Sequence, residues 1–142
     1  MNNFKLWQKW VLVSGYIIVI MALIIDAIAF FKLEMPLINE VFWSDGIPEN
    51  VETFYMFILG LYSCILAVFG IFVIFVANNA FLKRERWSWN VLFMCYTIWF
   101  IADSFYSLYA KVYPNFILNM IIYILIIIPL AATYRLFADN ES

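Results

Sequence analysis

Two carboxylates interrupt long apolar runs of this chain, Asp26 and Asp103. A charged side chain at the centre of a bilayer costs about 2.5–3.5 kcal/mol on insertion scales. Such residues therefore face a bundle interior or a wet cavity, where they hold cations, carry protons or accept hydrogen bonds. Each lies 17 residues past a basic residue, Lys9 and Arg86 respectively. At about 1.5 Å of helical rise per residue the two acids reach a similar depth, in the outer part of a hydrocarbon core roughly 30 Å thick.

Other polar residues are expected in the same layer. Glu52 and Tyr55 open the second apolar run, Ser107 follows Asp103 by one helical turn, and Asn115 and Asn119 are spaced i,i+4 at the start of the fourth. The half nearer the termini offers little comparable apart from Ser14. One reading is an outward-facing polar pocket for a small ligand, a proton or a cation, with Asp103 at its centre and Asp26 or Glu52 as neighbour. The other is structural: each acid is protonated and hydrogen-bonded to the next helix, locking the bundle. Both remain open at this level.

Catalysis is disfavoured by what is missing. The chain has no histidine, so the commonest metal ligand and general base is absent. No GxSxG, HExxH or P-loop pattern occurs. No catalytic residue, metal site or cofactor is expected. Cys64 and Cys95 lie in separate apolar runs without CxxC spacing and read as small packing residues. A net charge of −2 and the lack of a basic tract argue against nucleic acid as a partner.

The elements that must position these residues follow from composition. Hydrophobic residues make up 67% of the 142 and charged ones only 13%, about half the share usual in a soluble domain. Four apolar runs, about 10–31, 53–77, 87–110 and 114–136, are each long enough to span a bilayer. Lipid offers no hydrogen bonds to the backbone, so the runs must be helices. The expected fold is an all-α membrane protein, a single transmembrane domain over 1–142 built as an antiparallel four-helix bundle. The first run has signal-peptide features, with Lys5 and Lys9 ahead of it and Ala27-Ile28-Ala29 near its end. Its length and the interruption at Asp26 argue that it is retained as a helix.

Orientation follows from the eight Lys and Arg. Lys5, Lys9, Lys83, Arg84, Arg86 and Arg135 share one side, and Lys32 and Lys111 the other. The positive-inside rule then puts both termini in the cytoplasm. Segment 33–52 becomes an outer loop containing Phe42-Trp43, either an interfacial turn or a lid over the outer cavity. Trp7, Trp10, Trp43, Trp87 and Trp89 fall near run ends and are expected as interfacial anchors. Gly60, Ser63, Ala67 and Gly70 share one face of the second helix, with Ala77 a heptad further. Such a stripe lets a neighbouring helix approach closely in lipid.

The segments Phe81-Leu82-Lys83-Arg84-Glu85-Arg86-Trp87-Ser88-Trp89 and Trp99-Phe100-Ile101-Ala102-Asp103 then carry a resemblance, together with Ser107-Leu108-Tyr109, Phe57-Ile58-Leu59-Gly60, Asn115 and Asn119. From about residue 54 to 130 the chain resembles small bacterial membrane proteins of the BphX-like and DoxX-like kind. The resemblance implies a four-helix bundle in a bacterial inner membrane and marks Asp103, but implies no activity. The leading expectation is a multi-pass protein with an outward polar pocket for a small ligand or ion. The alternative is a non-catalytic structural or partner-binding subunit of a membrane complex, possible as an oligomer. A weaker one is a membrane enzyme acting on lipid.

Overall fold

The computed structural model describes residues 2–33 and 47–138. The expected turn or lid at Phe42-Trp43 lies outside them, as does most of the outer loop. Among the described residues every regular element is helical: α1 (Asn2–Phe30), α2 (Glu49–Val76) running on into a π-helical turn (Ala77–Phe81), α3 (Arg86–Tyr109) and α4 (Tyr113–Ala138). All four are long and apolar enough to cross a membrane. Ile65, Val68 and Phe105 are each more than 60% exposed, the reverse of a soluble protein and the pattern that a lipid solvent allows.

The helices outrun the apolar runs, most clearly at the start of α1. Phe4, Gln8 and Val11 are buried on one face of its first turns. The spacing i, i+4, i+7 makes a packing stripe that hydropathy alone does not register, because Lys5, Gln8 and Lys9 dilute it.

The described residues group into two compact units. One comprises 1–14 and 73–142, the other 15–72. In the first, Phe4, Phe81 and Phe137 form a ring cluster with centroids 4.7–6.1 Å apart. Gln8 Nε2 donates to the carbonyl of Ala77 at 3.0 Å, at the first residue of the π-turn. That turn shifts the backbone ladder from i+4 to i+5. Here also Ser14 Oγ meets Tyr96 Oη at 3.3 Å, and Thr97 Oγ1 meets Tyr123 Oη at 3.1 Å. The half nearer the termini is therefore more polar inside than its sequence indicates. Hydroxyls and amides at single helical positions do not interrupt hydropathy as a carboxylate does.

In the second unit α1 and α2 run antiparallel, in contact at Gly70. A Cβ there would fall 2.7 Å from Val19 Cγ2 and 2.9 Å from the backbone at Gly15 and Val19. Gly60 differs: nothing lies within 4 Å of where its Cβ would be. The stripe expected along α2 is thus a close contact at Gly70 but not at Gly60.

Three helix ends close with a basic residue in left-handed backbone: Lys32 (φ 53°), Arg84 (φ 61°) and Lys111 (φ 61°). In each case the next N–H reaches back five residues, Leu33 to Ile28, Glu85 to Ala80 and Val112 to Ser107. This is the Schellman closure, usually completed by glycine.

Trp89 corrects one expectation. It is buried, and its Nε1 donates to the carbonyl of Leu130 at 2.8 Å. It ties α3 to α4 instead of anchoring in the headgroups, because its ring lies on the face of α3 that meets α4. Trp87, two residues earlier, is exposed and donates to Glu85 Oε2 at 2.7 Å.

Candidate functional site

The polar residues at the far end of α3 and the start of α4 form one hydrogen-bonded group. The tight turn at Ala110–Val112 reverses the chain and sets the last turn of α3 against the first turn of α4. Pro114 sits in that first turn of α4, where its missing N–H costs nothing. Asn115 therefore faces Ser107, and its Nδ2 donates to Ser107 Oγ at 2.7 Å and to Asp103 Oδ1 at 3.2 Å. Ser107 Oγ in turn donates to the carbonyl of Asp103 at 2.7 Å. Ser107 is buried, while Asp103 and Asn115 are half-buried.

One turn deeper, the antiparallel register brings Ser104 of α3 and Asn119 of α4 to the level of Asp103. Both are buried, at 6% and 2% exposed. Asn119 Nδ2 and Ser104 Oγ have no hydrogen-bond partner among the described residues. Below them Tyr123 stacks on Phe100 at 4.3 Å and closes the group on its deep side. Ser104 was missed in the sequence, although its i,i+3 spacing to Ser107 could have placed it in this group. A serine can satisfy itself on its own helix, however, so it gives no signal in a hydropathy scan.

Asp26, Glu52 and Tyr55 belong to the other unit. Asp26 is exposed, and its Oδ1 accepts from Ser63 Oγ at 3.2 Å. The same hydroxyl lies 2.8 Å from the carbonyl of Gly60, so its single hydrogen is shared between the two acceptors, the carbonyl being the nearer. Glu52 pairs with Lys32, and Tyr55 is half-buried. The described residues contain no group of three Cys, Asp or Glu placed to hold a metal ion.

The group around Asp103 offers one carboxylate, two hydroxyls and two amides. That set can bind through charge and hydrogen bonds, and it contains no nucleophile with an adjacent base. No family model matches the chain, and no curated protein or solved structure matches it either.

Proposed function

We propose that the protein is a small integral membrane protein whose outward-facing polar group, centred on Asp103, binds a small ligand, a proton or a cation. The observation that supports this most is the pair of buried, unpartnered groups, Asn119 Nδ2 and Ser104 Oγ, at the level of the carboxylate. A buried polar group without a partner costs about 1–3 kcal/mol, and an oxygen-bearing or hydrated guest would supply what both lack. The kinship with BphX-like and DoxX-like bacterial inner-membrane proteins is part of this proposal.

The test uses purified protein in lipid nanodiscs. Thermal stability is followed against sodium, potassium, calcium and choline, and proton uptake is followed through a pH ramp. One of these probes is expected to shift the wild-type midpoint or to release a proton. Asp103→Asn should abolish that response and keep the fold, because the amide preserves shape and removes charge. A wild type that responds to none of the probes overturns the proposal.

Both termini face the cytoplasm in this proposal, on the six-to-two division of Lys and Arg. In a background where Cys64 and Cys95 are replaced by serine, Glu85→Cys should be protected from an impermeant thiol reagent and Asp45→Cys labelled. The opposite pattern reverses the orientation.

A second reading, a structural or partner-binding subunit of a membrane complex, is favoured by Asp26. This acid within a spanning helix is exposed and, among the described residues, held by the Ser63 hydroxyl alone, which leaves it available to a neighbouring protein.

A further inference from the structure

The opposite end of the α3–α4 hairpin carries a second arrangement. Between the two helices lies an open hollow of about 310 Å³, lined by Trp89, Phe93, Ile127, Ala131 and Tyr134. That is the low end of the range for small-molecule pockets, roughly 300–1,000 Å³. Its walls are almost wholly apolar. Trp89 stacks on Phe93 at 5.1 Å and meets Tyr134 edge-on at 5.1 Å. The one indole N–H among the lining residues is already given to Leu130.

Arg86 stands at the rim. Its guanidinium carbon lies 4.9 Å from the centre of the Tyr134 ring and 5.7 Å from that of Trp89. Nη1 is buried and has no hydrogen-bond partner among the described residues. Among the described residues no carboxylate pairs with this arginine. A half-buried cation resting on aromatic faces, with an N–H left over, calls for an anion. The planar guanidinium fork suits the two oxygens of a phosphate.

We propose that this groove binds an anionic phospholipid, its phosphate on Arg86 and the upper part of an acyl chain along Trp89, Phe93, Ile127 and Ala131. A free phosphate would leave the hollow empty, and a zwitterionic lipid, its phosphate countered by its own ammonium, would answer the charge only in part. An anionic amphiphile meets both requirements, and basic pockets between spanning helices are known to take such headgroups.

The test is lipid retention by the full chain in detergent, read by native mass spectrometry after exposure to equal phosphatidylglycerol and phosphatidylcholine. Wild type should keep phosphatidylglycerol over phosphatidylcholine by roughly tenfold, because the choline ammonium offsets the phosphate that Arg86 would hold, whereas phosphatidylglycerol keeps its net charge. Arg86→Gln should erase that preference, and Arg86→Lys should retain part of it. Ala131→Trp should fill the groove and reduce retention of either lipid while leaving the charge intact. Inorganic phosphate alone should not compete at millimolar concentration. Arg135→Gln, at an exposed cation on α4, should leave the preference unchanged. Equal retention of the two lipids by wild type overturns the proposal. So does an equal loss in Arg135→Gln and Arg86→Gln, which would reduce the effect to general surface charge. Should Arg86→Gln not fold, Arg86→Lys and Ala131→Trp still decide the matter.

Discussion

The two compact units hold their helices together by different means. In the one containing α3 and α4, side chains reach across: Asn115 to Ser107 and Asp103, Thr97 to Tyr123, Trp89 to the Leu130 carbonyl. In the other, α1 and α2 meet backbone to backbone at Gly70, and Ser63 with Asp26 supplies one polar link beside the Lys32–Glu52 ion pair. Lipid removes the hydrophobic drive between helices, so association has to come from polar bonds or from close packing. One hairpin is built mainly on the first and the other mainly on the second. The proposed site follows from that choice. In the proposed reading a seam of hydrogen-bonding side chains can turn to a polar guest, whereas the close contact at Gly70 leaves no room for one there.

Substitutions sharpen the contrast. The largest effect is expected at Gly70. A leucine there must displace the α1 backbone at Gly15 and Val19, which no rotamer change can relieve, at a cost of roughly 3 kcal/mol or more. The detergent melting temperature of Gly70→Leu should fall well below that of the parent. Gly60→Leu, with open space around it, should lie within about 0.5 kcal/mol of the parent. Equal melting of the two variants would break the distinction between them.

Smaller losses are expected from the acids. Asp103→Leu removes an acceptor from Asn115 in a half-buried setting and should cost about 1–3 kcal/mol. Asp26→Leu should cost less than Asp103→Leu, because Asp26 is exposed and Ser63 keeps its bond to Gly60. Melting curves of the two leucine variants side by side read that order. A larger loss at Asp26 would make the second unit the polar one.

Much of this was legible in the sequence, for reasons of solvent. A chain so apolar can be satisfied only by spanning helices, so their number and approximate limits follow from the runs. Asn115 and Ser107 were also visible, since the first begins the fourth apolar run and the second ends the third, which puts both in the layer of Asp103. Three kinds of feature were less accessible. Ser104 and Thr97 escape because a hydroxyl hardly changes hydropathy. Trp89 reads as an anchor because position along the membrane normal is encoded in the sequence, but rotation about the helix axis is not. Gly60 and Gly70 share a stripe in sequence, yet only one meets a neighbour, because contact depends on where two helices cross and not on the pattern of one.

The left-handed residues that close α1, the π-turn after α2, and α3 bear on how the chain enters its membrane. Glycine would adopt the same backbone at lower cost, by roughly 1 kcal/mol. Each position holds a cation instead, Lys32, Arg84 or Lys111. The residue that stops the helix is thus also the residue that insertion machinery weighs when it decides which loop to hold back. At Arg84 the two instructions agree in the proposed orientation. At Lys32 and Lys111 they oppose each other, since in that orientation these are the two positive charges carried across. On that proposal the chain tolerates at both places a steeper backbone and a fainter address, and the cation at Lys32 is answered by its ion pair with Glu52.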